Sequence, residues 1–165
     1  MATNGTRQQP TAANSRQEAL AQQTWAEHDA LLIAIHSLEA ALAAAAPGRE
    51  RLWARHVAEM LKGVADALAE HIASTEDPDG LFAEIDDTWP TMAYHVERLR
   101  REHSELIEQA RALALRVEYS VKHEMPDFHD VRRRAALLLT ELRHHQAAET
   151  DLIHKSFFVD LGVGD

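Results

Sequence analysis

The sequence predicts an all-α protein, an antiparallel four-helix bundle with up-down-up-down topology. Its 165 residues include 6 glycines and 5 prolines, and most of these lie between long stretches rich in alanine and leucine. Within those stretches apolar residues recur at steps of three and four, and no stretch alternates as a strand would. Because the connections are short, consecutive long helices are expected to be antiparallel neighbours.

Breaker residues set the bounds of each predicted helix. The first helix ends at Pro47-Gly48 and the second ends before the segment 77–80, which contains Asp, Pro and Gly. The third begins at Pro90-Thr91, where proline suits a first turn. The predicted long helices are 17–46, 50–75, 90–121 and 128–158, with a short connecting helix possible at 81–89. Residues 1–17 and 161–165 are predicted to be tails, and residues 18–160 the bundle.

Composition excludes several classes of function. The formal net charge is -10, from 27 acidic and 17 basic residues, which argues against nucleic-acid and anionic-membrane partners. The absence of cysteine excludes disulfides, thiolate nucleophiles and sulfur-ligated metal sites. With no apolar run long enough for a membrane span and no secretory segment, we expect a cytoplasmic protein. The oligomeric state stays open.

Each long helix places one histidine within its apolar stripe. Histidines of consecutive helices lie similar numbers of residues from the connection between them, so the antiparallel packing brings them to one layer. A glutamate follows at the next inward position of the fourth helix. The five residues are His28, His71, His103, His145 and Glu149. An ionised carboxylate inside a bundle costs several kcal/mol unless paired, and a divalent cation is a suitable partner. The layer therefore has the composition of a metal site.

The other seven histidines are predicted to lie at the surface or the boundary of the core, and His144 could join an outer shell of the site. These seven are His36, His56, His95, His123, His129, His144 and His154. Three further interpretations of the layer stay open. They are a mononuclear zinc or iron site, a metal-free helical interaction scaffold with hydrogen-bonded core histidines, and an iron-dependent regulator.

Four segments, one per long helix, resemble the hemerythrin-like, or HHE cation-binding, domain. They are Glu27-His28-Asp-Ala-Leu-Leu, Leu68-Ala-Glu-His71, Arg101-Glu102-His103-Ser-Glu-Leu-Ile and His145-Gln-Ala-Ala-Glu149-Thr-Asp-Leu-Ile. The resemblance implies a four-helix bundle that holds non-haem iron, with two ions per chain. It also implies that the four inward histidines and Glu149 are ligands, and that O2, peroxide or nitric oxide binds or reacts there in sensing, detoxification or iron handling.

The chain departs from the family pattern at two places. Thr75 stands where the second helix of the family has a carboxylate, and Glu76 follows one residue later. A regular helix would put Glu76 about 140° from His71, so it could become a sixth ligand only if the last turn is distorted. Leu99 and Ile107 occupy both candidate positions for the extra histidine of the oxygen carriers. The ligand set therefore favours redox reaction or sensing over simple oxygen storage, and whether the protein is an enzyme is left open.

Overall fold

Helices make up the fold of this protein. The computed structural model describes residues 12–44, 47–123 and 127–157, with side chains described from Ser15 onward. The helices are α1 (Ala12–Ala43), α2 (Glu50–Thr75), α3 (Leu81–Thr88), α4 (Ala93–Lys122) and α5 (Phe128–Phe157), and a 3₁₀ turn spans Pro90–Met92. No strand occurs in these three described ranges, which confirms the predicted all-α class.

The helix bounds follow the predicted breakers closely. Helix α2 has the predicted bounds, and α3 occupies the predicted connecting segment. Helix α1 begins at Ala12 rather than at Gln17, because no glycine or proline follows Pro10 to stop a helix there. Helix α4 begins after the 3₁₀ turn. The predicted tail 1–17 is wrong for residues 12–17, which are helical. Residues 1–11 of that tail, the predicted tail 161–165, and residues 45, 46 and 158 of predicted helices lie outside the described residues.

Contacts between remote ends show that neighbouring long helices run in opposite directions. Gln23 near the start of α1 donates to Ser74 Oγ near the end of α2 over 2.7 Å. At the other end of the same pair, Trp53 Nε1 donates to the Ala41 carbonyl over 2.8 Å. Equivalent contacts join the start of α2 to the end of α4 (Arg51 with Val121), the end of α4 to the start of α5 (Arg116 with Asp130), and the start of α5 to the end of α1 (Arg132 with Leu42).

The buried apolar residues form two clusters with the histidine layer between them. The larger cluster includes Leu68 of α2 and Leu142 of α5, both fully buried. The smaller cluster includes Leu99 of α4 and Phe82 of α3. Burying one such side chain stabilises the folded state by about 1.5–3 kcal/mol, so both clusters stabilise the packing on either side of the layer.

Helix α3 covers one end of the layer because the turn before it is tight. A Cβ atom at Gly80 would lie 2.4 Å from the Ser74 carbonyl oxygen, so only glycine fits this close approach. The turn directs the buried face of α3, formed by Leu81, Phe82 and Ile85, onto the core.

Across the described helices, none has both the length and the apolar content needed to cross a bilayer.

Candidate metal centre

The four predicted inward histidines meet in one layer inside the protein. His71 and His103 have no exposed surface, His145 is 2% exposed and His28 is 7% exposed. Their ring centroids are 5.2 Å apart for His28 and His71, 5.2 Å for His71 and His103, and 4.6 Å for His103 and His145. One histidine from each long helix thus comes together with its neighbours, as the matched depths predict.

Glu149 lies among these rings and is completely buried. Its Oε2 accepts a hydrogen bond from His28 Nε2 at 2.8 Å. The same oxygen lies 3.0 Å from His71 Nε2 and 3.8 Å from His145 Nε2. A single carboxylate oxygen therefore faces three imidazoles from three different helices.

Four ligand-type atoms of the layer make no hydrogen bond to any residue of the described ranges. They are His71 Nδ1, which lies 3.6 Å from a carboxylate oxygen of Glu27, together with His103 Nε2, His145 Nε2 and Glu149 Oε1. An unsatisfied buried polar atom costs about 1–3 kcal/mol, and more when the group is charged. His71, His103, His145 and Glu149 each offer one ligand atom within 4.8 Å of the others. The donor set is three imidazole nitrogens and one carboxylate oxygen, which suits iron or zinc.

Glu76 does not lie among these inward atoms. It is the cap residue that directly follows α2, and its Oε1 accepts a hydrogen bond from His103 Nδ1 at 2.6 Å. The end of the helix turns this side chain toward α4, so the carboxylate is on the far side of the His103 ring from Nε2. The structure thus places Glu76 behind a predicted ligand rather than at the predicted ligand position.

Thr75 fills the position where the resembled family has a carboxylate. Its side chain is 1% exposed, and its Oγ1 donates to the backbone carbonyl of His71 in the preceding turn. The same hydroxyl oxygen is 3.4 Å from His71 Nε2. A small hydroxyl group therefore occupies this corner of the layer.

Sequence reasoning missed two further carboxylates behind the histidines. His145 Nδ1 donates to Glu102 Oε2 at 3.0 Å, and His71 Nδ1 lies 3.6 Å from Glu27 Oε2. The sequence did contain a signal for these carboxylates, because Glu27 and Glu102 each directly precede an inward histidine. Neighbouring helix positions differ by about 100°, so the side chain before an inward histidine points toward an adjacent helix.

Aromatic rings form part of the wall of the layer. Phe82 of α3 stacks on His103 at 5.5 Å, with an interplanar angle of 12°. Trp25 meets His28 edge to face at 5.7 Å. Trp25 and His28 line a groove of about 550 Å³ between α1 and α5, whereas His145 and Glu102 line one of about 340 Å³ between α4 and α5. Water-sized molecules can thus come close to the layer from two sides.

Burial and charge set the protonation of the layer. Burial, then the charge of His145, lowers the pKa of His103 to about 3, and burial also lowers the pKa of His145. Burial opposes ionisation of Glu149, but hydrogen bonds from His28 and His71 outweigh it, so the pKa of this carboxyl is lowered. Burial likewise opposes protonation of His71, and the hydrogen bond and charge of Glu149 outweigh it, so the pKa of His71 is raised.

These shifts determine how the metal-free fold responds to pH. The unfolded chain protonates His103 below the ordinary histidine pKa of 6.5, but the folded chain does so only near 3. Unfolding therefore takes up a proton in this window, and the free energy of unfolding falls as the pH is lowered. The stabilisation from the raised pKa of His71 is present below 6.5 and lost as the pH rises through its folded value. That from the lowered pKa of Glu149 is present above 4.5 and lost at lower pH.

The remaining histidines lie outside the layer. All seven are exposed, as predicted: His36, His56, His95, His123, His129, His144 and His154. His144 lines the groove between α4 and α5, directly beside His145 in the chain. It therefore provides a surface histidine close to the layer.

Comparisons with known proteins place the chain in no family. Searches against family models, curated proteins and solved structures find no match. The resemblance to hemerythrin-like domains thus stays a prediction that depends on the four histidine segments. The geometry of the layer is therefore the main evidence on function.

Proposed function

We propose that this protein is a hemerythrin-like four-helix bundle that holds non-haem iron at the histidine layer and binds or reacts with O2, peroxide or nitric oxide. The observation that supports it most directly is the presence of three inward-facing buried ligand atoms with no hydrogen-bond partner among the described residues, His103 Nε2, His145 Nε2 and Glu149 Oε1. The opposite directions of contacting long helices support the up-down-up-down topology. A cytoplasmic location is part of this proposal.

The donor set fits iron in both composition and charge state. The lowered pKa values of His103 and His145 keep both imidazoles neutral at pH 7, so each has a lone pair for a cation. The lowered pKa of Glu149 keeps its carboxylate anionic. A divalent ion would offset the cost of burying these groups, because it pairs the charge and satisfies the unpartnered atoms.

The number of donor atoms around Glu149 supports two ions per chain. One of its oxygens contacts His28 and His71, and its other oxygen has no hydrogen-bond partner in the described chain. His103 Nε2 and His145 Nε2 also have no hydrogen-bond partner there, and His145 Nε2 lies 3.8 Å from the oxygen that contacts His28 and His71. Together with Glu149, the four histidines would offer enough donors to hold two ions.

The surrounding residues restrict access to the layer, and two grooves approach it, one at His28 and one at His145. Three of the four histidines are at most 2% exposed, and Phe82 stacks on His103, which excludes bulk water. His28 lines the groove between α1 and α5, where Trp25 is 38% exposed. When bound, iron supplies redox chemistry and coordination positions for small molecules. The groove at His28, of about 550 Å³, has room to admit a diatomic or peroxide ligand.

A mononuclear zinc or iron site is the second candidate. It is favoured by the four ligand atoms of His71, His103, His145 and Glu149, which all lie within 4.8 Å of one another. Three nitrogens and one oxygen are a common tetrahedral zinc set. This candidate uses one ion and leaves His28 as a hydrogen-bond donor to Glu149.

Elemental analysis of the protein purified without added metal, with its ultraviolet–visible spectrum, tests the proposal. We expect close to two irons per chain with ligand-to-metal bands, and a large loss of metal in His145→Ala. The matched control is His144→Ala, which removes the adjacent exposed histidine. One zinc per chain would favour the second candidate. No bound metal after iron reconstitution, or equal metal in both variants, would contradict the site.

A further inference from the structure

The outer nitrogens of three layer histidines face glutamates from another helix. The Nδ1–H of His103 donates to Glu76 over 2.6 Å, and the Nδ1–H of His145 donates to Glu102 over 3.0 Å. Glu27 lies 3.6 Å from His71 Nδ1, which is longer than a normal hydrogen bond. These glutamate side chains are 21–31% exposed, so they connect the buried rings to the surface.

The contacts follow the order of the helices. Glu27 of α1 faces the histidine of α2, Glu76 at the end of α2 faces that of α4, and Glu102 of α4 faces that of α5. Glu149 of α5 accepts a hydrogen bond from His28 of α1, so the four contacts link the long helices in a closed ring. Each histidine of the layer is therefore contacted by a glutamate from another long helix or its end.

A hydrogen bond at Nδ1 decides what Nε2 can do. A neutral imidazole carries one N–H, and a carboxylate that accepts a hydrogen bond from Nδ1–H keeps the proton on Nδ1 and leaves the lone pair on Nε2. The unpartnered Nε2 atoms of His103 and His145, within the part of the chain that is described, are the inward atoms that this tautomer makes available. The carboxylate also fixes the plane of the ring and makes the opposite nitrogen a better ligand.

We propose that Glu76 and Glu102 are positioning residues of the metal centre, which hold His103 and His145 with their Nε2 lone pairs directed inward, and that Glu27 has a weaker effect of the same kind on His71. This inference rests on the proposed function. It also assigns Glu76 a role behind the ligands in place of the ligand role that the sequence predicts.

Co2+ binding to the metal-free protein tests the inference. The affinity is measured by competition with a chromophoric chelator, and the d–d spectrum reports the coordination. We expect Glu76→Ala and Glu102→Ala to weaken Co2+ binding by about 10–100-fold, with a smaller change for Glu27→Ala. Glu102→Gln keeps a neutral acceptor oxygen, so it should recover part of the loss.

Matched controls are Glu70→Ala and Glu105→Ala. Glu70 precedes His71 as Glu102 precedes His103, and Glu105 lies one turn after Glu102, but both controls are exposed. They should bind Co2+ like the wild type. In the Co2+-loaded protein, proton NMR should show a far-shifted exchangeable Nδ1–H signal for each ligand histidine. The signal of His145 should broaden by solvent exchange in Glu102→Ala.

The outcomes separate this inference from the proposed function. If the wild type binds Co2+ and both alanine variants bind it equally well, the positioning role is wrong and the metal site stands. If affinity falls only in proportion to the loss of metal-free stability, and the Nδ1–H signals are unchanged, the glutamates are merely structural and the inference is also wrong. If the wild type binds none of Co2+, Fe2+ and Zn2+, the proposed function itself fails.

Discussion

Replacing Glu149 by glutamine should weaken the stabilisation of the fold by bound metal. The substitution keeps the shape of the side chain and removes its charge. Glu149 is fully buried, and it contacts His28 and His71 through one oxygen. Because it is the carboxylate at the centre of the layer, it is the group that we expect to bridge the ions.

The expected magnitude follows from linkage. An ion that binds only the folded state stabilises it by about 2.7 kcal/mol at 100 times its Kd. For a chain of this length that corresponds to a rise in Tm of roughly 5–11 °C. Loss of a buried charged contact worth about 1.5–3 kcal/mol weakens binding by at least about tenfold, which leaves a stabilisation of roughly 0.3–1.3 kcal/mol at the same metal concentration. The rise in Tm should therefore fall to about half or less.

The assay is thermal unfolding followed by circular dichroism, with chelator and then with anaerobic Fe2+. Glu141→Gln is the matched control, since Glu141 is an exposed glutamate two turns earlier on α5. It should keep the full metal-dependent rise. An equal rise in Glu149→Gln and in the wild type would refute the role of Glu149, and no rise in the wild type would refute the coupling of metal to folding.

Three further predictions concern the fold and the layer. Acidifying the metal-free protein from pH 6.5 to 4.5 should lower its free energy of unfolding, and His103→Leu should show a slope shallower by about 1.4 kcal/mol per pH unit in urea unfolding at each pH. Equal slopes would contradict the lowered pKa of His103. Leu142→Ala at a fully buried position should cost about 2–5 kcal/mol, whereas Leu137→Ala at a 54% exposed position should change stability by no more than about 0.5 kcal/mol. Thr75→Glu should destabilise the metal-free protein by roughly 1–3 kcal/mol, because Thr75 is 1% exposed, yet it should enlarge the metal-dependent rise in Tm; a smaller rise than in the wild type would count against two bound ions.

The helical class and most helix bounds were predictable from the amino-acid sequence. Breakers such as Pro47-Gly48 act on the local backbone, and the bounds of α2 could be read from them directly. Apolar periodicity also predicted that His103 and Glu149 are buried, since the inward face of a helix is set by the spacing along one chain segment. Metal binding and the hemerythrin-like identity stay predictions.

The groups that meet across helices could not be predicted from the sequence pattern, because they depend on how the helices pack. The contact of Glu76 with His103 and that of Glu102 with His145 depend on the rotation and axial offset of different helices. A shift of one residue changes a side chain's direction by about 100° and its height by about 1.5 Å, which is enough to exchange a ligand for an outer partner. Phe82 reaches His103 only because the tight turn at Gly80 directs α3 onto the core. Periodicity fixes the face of a helix, whereas the packing between helices fixes what that face meets.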